Sequence, residues 1–246
     1  MQPVAFALDI PIWTVDPGHP EPELLGLAGE VVSRGGVIVY PTETFYGLGG
    51  NPELPSAVQR VFRIKGREFN KPLPLIAANL ETVYRAVAEW PMLAERLAQA
   101  FWPGPLTLIL RAGAHILPQI HGNTGKIGIR ISSHPVSQAL ATEAGGLLIA
   151  TSANPAHQRA YQAPSEMPVE FLALVDGLID AGPSGGACGN LPSTIVDASG
   201  SSARLVRAGC IPWEKVLEVV RSSFPHASSG NDDQGSNLDD YLLPDI

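Results

Sequence analysis

The apolar positions of the chain follow two alternating rhythms. From Glu21 to Arg34, Leu24, Leu25, Leu27, Ala28, Val31 and Val32 recur at helical spacing and stop at Gly35-Gly36. Val37-Ile38-Val39-Tyr40 follows as an uninterrupted β-branched run, the signature of a buried strand. The pair repeats downstream. Pro55–Lys65 predicts a helix on Val58, Val61 and Phe62 with Ser56 as N-cap, and Leu73–Ala78 predicts a strand. Leu80–Trp102 reads as two helices divided by Pro91, closed by Trp102-Pro103-Gly104-Pro105 before the strand Leu106–Leu110. Lys126–Ile131 alternates strictly, with Ile127, Ile129 and Ile131 on one face and Lys126, Gly128 and Arg130 on the other. A helix from His134-Pro135 through Leu140, strands at Leu147–Ala150, Leu178–Asp180, Pro192–Asp197 and Arg204–Gly209, and a closing helix over Pro212–Val220 complete the pattern. Such alternation predicts an α/β domain over residues 21–222. It is preceded by an irregular, proline-rich lead-in over 1–20 and followed by a disordered acidic tail over 223–246, and no internal repeat is present.

Composition sharpens this picture. With 246 residues, 45% hydrophobic and 16% charged, the chain can bury a sizeable core. A net charge of −8 argues against bulk, non-specific binding of polyanions. Cys188 and Cys210 lack metal-ligand spacing and are too few for a disulfide framework, and a reducing cytoplasm fits them. The N-terminal residues carry no basic segment and no apolar run reaches membrane-spanning length, so neither secretion nor membrane insertion is expected.

Against the acidic total, Arg60, Arg63, Lys65, Arg67 and Lys71, five of the 16 lysines and arginines, crowd one helix and its exit. Helical periodicity turns Lys65 inward with Val58, Val61 and Phe62, whereas Arg60 and Arg63 read as solvated cations dressing a helix C-terminus. Gly66 frees the backbone and Pro72 fixes the exit, so the fold sets the directions of Lys65, Arg67 and Lys71. Two strand ends are rich in hydroxyls, carboxamides or glycine: Pro41-Thr42-Glu43-Thr44-Phe45-Tyr46-Gly47-Leu48-Gly49-Gly50 and Thr151-Ser152-Ala153-Asn154-Pro155. Open α/β sheets place ligands at such ends, although turn chemistry alone accounts equally well for the first stretch. No GxxxxGK[ST] or GxGxxG motif follows a strand, so a nucleotide would need another cradle. Arg130, next to the small Gly128, is either solvated or a clamp for a carboxylate.

Taken in order, Pro41-Thr42-Glu43-Thr44-x-Tyr46-Gly47-Leu48, Lys65-x-Arg67, Trp102-Pro103-Gly104-Pro105, Arg130 before His134-Pro135, Ser152-x-Asn154 and Pro192-Ser193-Thr194-Ile195 resemble the YrdC family over roughly residues 21–220. The resemblance implies a twisted mixed β-sheet with flanking helices and a concave, positively lined cavity. It also implies L-threonylcarbamoyladenylate synthesis from L-threonine, bicarbonate and ATP with Mg²⁺, supplying a threonylcarbamoyl transferase complex that modifies the tRNA adenosine next to the anticodon. Lys65, Arg67, Ser152 and Asn154 correspond to the family's signature tetrad. Arg67, Lys71, Lys126, Asn154 and Arg207 are expected to face ATP; Thr42, Thr44, Arg130, Ser152 and Ser193 are expected to face threonine. No metal ligands are assigned. Two positions depart from the family: Ile76 stands where many members have His, and Glu68 replaces the Pro that follows Lys-x-Arg. The chain ends soon after Arg207, so the extra C-terminal domain of longer members is not expected. Two other readings are a non-catalytic tRNA-binding relative and a carbamoyl-phosphate enzyme resembling the YrdC-like domain of hydrogenase-maturation proteins.

Overall fold

In the computed structural model, which describes residues 10–69 and 71–222, each apolar run has become a strand and each helical stretch a helix. In chain order the elements are β1 (Ile12–Thr14), α1 (Pro22–Ser33), β2 (Ile38–Tyr40), β3 (Gly47–Gly49), α2 (Pro55–Lys65), β4 (Leu75–Ala77), α3 (Leu80–Ala86) and α4 (Met92–Phe101). There follow β5 (Leu106–Arg111), β6 (Lys126–Arg130), α5 (Pro135–Glu143), β7 (Leu147–Ile149), β8 (Thr151–Ser152), the single turn α6 (Val169–Leu172), β9 (Gly177–Asp180), β10 (Thr194–Asp197), β11 (Arg204–Arg207) and α7 (Trp213–Ser222).

Hydrogen bonding divides the mixed α/β architecture into two sheets, a five-stranded one in the order β1-β9-β2-β3-β8 and a six-stranded one in the order β11-β10-β5-β6-β4-β7. Both are mixed: β2 runs parallel to β9 and antiparallel to β3, and β5 runs antiparallel to β6 and parallel to β10.

Burial explains which strands are continuously apolar. In β2 and its approach, Val37 and Val39 enter one core cluster and Ile38 and Tyr40 the other, so both faces are covered. The same holds for Leu75 and Ala77 against Ile76, and for Leu147 and Ile149 against Leu148. By contrast β5 and β6 bury one face only: Leu106, Leu108, Leu110, Ile127 and Ile129 join the larger core, while Thr107, Ile109, Lys126, Gly128 and Arg130 face a cavity.

Several sequence expectations change in the fold. Within the proline-rich lead-in, Ile12–Thr14 pairs parallel with β9 and buries Trp13, because a half-covered edge needs only one inward side chain in three. Residues 1–9 and the tail from 223 lie outside the described residues. The helix α2 starts on Pro55 with Leu54 as N-cap, so Ser56 does not cap it. Arg60 is not free in solvent: it binds Asp176 and donates to Leu174 O at 3.0 Å. Gly47–Gly49, which the spacing alone reads as a turn, forms β3 beneath the ring of Tyr40, where a Cβ on Gly49 would lie 2.5 Å from Tyr40 Cε1 and 2.7 Å from Ile149 O. Finally, Cys188 and Cys210 form a disulfide between the loop before β10 and the chain after β11, brought together across 22 residues by the return of the sheet. Among the described residues no helix is long and apolar enough to cross a membrane.

Candidate functional site

A cavity of about 660 Å³ opens between the two sheets, within the size range of small-ligand sites. All eleven residues singled out by the sequence line it: Thr42, Thr44, Lys65, Arg67, Lys71, Lys126, Arg130, Ser152, Asn154, Ser193 and Arg207. Arg204 adds a seventh lysine or arginine to Lys65, Arg67, Lys71, Lys126, Arg130 and Arg207, and Asp197 is the one carboxylate among the described lining residues. A wall so charged within an acidic protein concentrates positive potential where field lines are focused.

The end of α2 delivers the first cation. Lys65 is only 3% exposed, and its Nζ donates to Ser152 O at 2.6 Å, Asn154 Oδ1 at 3.0 Å and Ser152 Oγ at 3.3 Å. Helix end and β8 strand end are thereby tied into one unit. Burial, reinforced by the nearby Arg67 charge, lowers the Lys65 pKa to about 7. The left-handed turn at Gly66, φ 62°, lets the chain leave the helix so that Arg67 reaches forward. Its Nη2 donates to Lys71 O at 3.0 Å and Pro72 O at 2.6 Å, its guanidinium lies 5.6 Å from the Phe62 ring centroid, and its buried Nε has no partner. An orphaned N–H donor beside a cavity marks a place for an acceptor from outside. Asn154 is also held from its other side, its Nδ2 donating to Pro155 O at 3.0 Å and to Gln158 O.

The floor comes from β5, β6, β10 and β11. Arg130 is 4% exposed, and its Nε donates to Glu43 Oε1 at 2.9 Å. Ser193 Oγ lies 3.0 Å from Thr107 Oγ1, and Arg207 clasps it, donating from Nη2 to Ser193 O at 2.9 Å and Ser193 Oγ at 3.0 Å. Burial and the neighbouring Arg130 lower the Arg207 pKa to about 10. Lys126 is paired with Asp197 at 2.9 Å, and Arg204 reaches the same carboxylate oxygen at 3.3 Å. Burial raises the Asp197 pKa, but hydrogen bonds from Ser199, Lys126 and Arg204 outweigh it and hold the group below the usual carboxylate range. Thr42 Oγ1 sits 3.1 Å from Thr44 Oγ1 and accepts from Thr44 N, which fixes both hydroxyls at the rim.

Sequence reading missed Glu43 behind Arg130, and Arg204 with Asp197 at the floor. On a regular strand Arg204 and Arg207 would face opposite sides; an irregularity in the β10–β11 register brings both to the cavity. Sequence periodicity carries no signal for such a shift.

Comparison with known proteins places this geometry. The Sua5/YciO/YrdC family model, described as telomere recombination, matches residues 30–209. The chain belongs to the Sua5/YciO/YrdC family. A threonylcarbamoyl-AMP synthase of Halorhodospira halophila (strain DSM 244 / SL1) is 36% identical over 152 residues, covering 62% of this chain and 80% of the relative. Two structures of P. abyssi Sua5, a variant and a complex with L-threonine, superpose with TM-scores of 0.81 and 0.78 at 30% and 29% identity. They cover 86% and 85% of this chain, which in turn spans 60% of the length of each Sua5 chain.

Proposed function

We propose that this protein is an L-threonylcarbamoyladenylate synthase, a nucleotidyltransferase that condenses L-threonine, bicarbonate and ATP to threonylcarbamoyl-AMP and pyrophosphate. The observation that carries this reading is the set of directed cations, Lys65 and Arg130 buried and Arg67 and Arg207 half-buried, around a cavity whose rim presents the Thr42 and Thr44 hydroxyls. A family relative named threonylcarbamoyl-AMP synthase and a Sua5 structure holding L-threonine support it.

The threonine amine and bicarbonate give a carbamate with loss of water; a carbamate oxygen then attacks the α-phosphorus of ATP and pyrophosphate leaves. Three anions must meet, so the barrier to overcome is their repulsion. Lys65, Arg67, Lys71 and Arg207 take the phosphates, with Asn154 and Lys126 on the nucleotide side. Arg130, with Ser152, Ser193 and the rim hydroxyls, takes the amino acid. Catalysis is positioning and charge stabilisation with no protein nucleophile. The described residues hold no cluster of three or more His, Cys, Asp or Glu that could cage a metal, and Asp197 is committed to Lys126 and Arg204. A Mg²⁺ would come with the triphosphate rather than be held by a protein cage, and would supply neutralisation of phosphate charge. The product serves the complex that modifies the tRNA adenosine next to the anticodon.

Pyrophosphate release from ATP and Mg²⁺, measured with and without L-threonine and bicarbonate, tests the reading, with the adenylate verified by mass spectrometry. Release that depends on both and falls at least about 10²-fold in Lys65→Ala is expected. Folded protein that binds tRNA in a salt-sensitive manner but releases no pyrophosphate would overturn it in favour of an RNA-binding role.

A further inference from the structure

Behind the cavity wall lies a chain of three buried polar side chains that the reaction scheme leaves unused, and it ends on Arg130. Ser137, in the first turn of α5, has its Oγ 2.7 Å from Ser132 Oγ and 3.1 Å from His134 O. Ser132 Oγ also accepts from His134 N at 3.2 Å and donates to Glu43 Oε2. Glu43 Oε1 accepts from Arg130 Nε at 2.9 Å. Ser132 and Ser137 are fully buried, and Glu43 is 8% exposed. Arg130 lines the cavity, whereas Glu43 does not. The pair also crosses from the loop after β2, in one sheet, to β6 in the other.

We propose that Glu43 is a positioning residue, which fixes the Arg130 guanidinium so that its two terminal nitrogens face the carboxylate of the amino-acid substrate. This assignment rests on the synthase reading and adds a role for Glu43 within it. Three observations carry it. The contact uses Nε, and among the described residues no hydrogen bond occupies the terminal nitrogens, which leaves the two-pronged edge suited to a carboxylate. The acceptor is itself immobilised: with Ser132 held by His134 N–H and Ser137, Glu43 has one orientation to offer. A pair needed for stability alone could be replaced by packed apolar groups at little loss, whereas a charged side chain aimed into a cavity needs a charged anchor. The local chain geometry agrees. Thr42 and Thr44 line the cavity while Glu43 between them turns to Arg130, in a bend where Thr42 Oγ1 accepts from Thr44 N and donates to Phe45 O, so one tripeptide sets both the hydroxyl contacts and the arginine.

The test is a double-mutant cycle on pyrophosphate release and on calorimetric binding of L-threonine, using Glu43→Ala, Arg130→Lys and the double variant. Glu43→Ala raises KM for L-threonine about tenfold or more and leaves KM for ATP within about twofold. In the Arg130→Lys background the same change adds less than about threefold, because residues acting as one unit are non-additive. Binding of L-threoninamide, which lacks the carboxylate, is the same in wild type and Glu43→Ala. Where Glu43→Ala fails to fold, the shape-retaining Glu43→Gln replaces it, with an expected rise in KM for L-threonine of about threefold to tenfold at an unshifted melting temperature. Unchanged threonine affinity in a folded Glu43 variant, additivity in the cycle, or an equal loss toward ATP overturns the assignment while the synthase reading stands. A wild type that neither binds L-threonine nor releases pyrophosphate overturns both.

Discussion

Lys65 carries a conflict that the site uses. Three acceptors around Nζ favour the ammonium, while burial and the Arg67 charge oppose it and bring the pKa to about 7. In the proposed role the cation is the form that meets phosphate, so kcat/KM for ATP is expected to fall as pH rises through about 7, and to stay flat to higher pH in Lys65→Arg; a pH–rate profile of the two proteins decides it. Stability has the opposite slope. The unfolded chain keeps its proton up to the ordinary value near 10.5, so between about 7 and 10.5 it binds more protons than the native state, and native stability from this group rises with pH across that window. Denaturant titrations at several pH values should show that rise in wild type and lose it in Lys65→Met. No change in slope would mean that the three hydrogen bonds keep the amine charged in the fold.

At the scale of elements, the site depends on a short strand, β3, whose two glycines pack too closely against Tyr40 to admit a side chain. β3 lies under Tyr40, and the Tyr40 hydroxyl donates to Ile149 O at 2.8 Å, so β2, β3 and β7 meet at one ring. A methyl group at Gly49 collides with both the ring and the Ile149 carbonyl. Gly49→Ala is expected to cost about 1–3 kcal/mol, read as a lowered denaturant midpoint. Because Gly47 in β3 is paired with Ser152 in β8, the displacement also weakens L-threonine binding. A variant with wild-type stability would show that β3 can shift without cost. The glycines of this stretch were visible in the sequence as turn formers. Their role beneath an aromatic ring was not, since the ring comes from the neighbouring strand.

For the whole molecule, Cys188–Cys210 ties the loop before β10 to the chain after β11, beside Ser193 at the start of β10 and Arg207 at the end of β11. Closing a loop with a sequence separation of 22 restricts the unfolded chain by about 3 kcal/mol in the loop-entropy treatment. Cys210→Ser, or treatment with reductant, should lower the denaturation midpoint accordingly, and equal midpoints for oxidised and reduced protein would show that the link adds no stability. Net charge acts at the same scale: the chain carries −8 overall, while the cavity wall gathers seven lysines and arginines against one aspartate among the described lining residues, so attraction for anions is strongest there.

The sequence by itself determined most element types and the α/β class, which follow from local rules, and through its family motifs it pointed to eleven of the cavity-lining residues. An apolar run such as Val37–Tyr40 is buried on both faces, an alternating strand such as Lys126–Ile131 leaves one face for chemistry, and helical periodicity turns Lys65 inward. Only the tertiary structure decided which partners those residues keep. Glu43 on Arg130, Asp197 on Lys126 and Asp176 on Arg60 join segments distant in sequence, and Cys188 on Cys210 closes a shorter loop. The same is true of the division into two sheets and of the strand at Ile12–Thr14, whose partner β9 lies more than 160 residues downstream. Periodicity records which way a side chain points, but pairing across space depends on where the chain returns, and that is settled by packing the whole core at once.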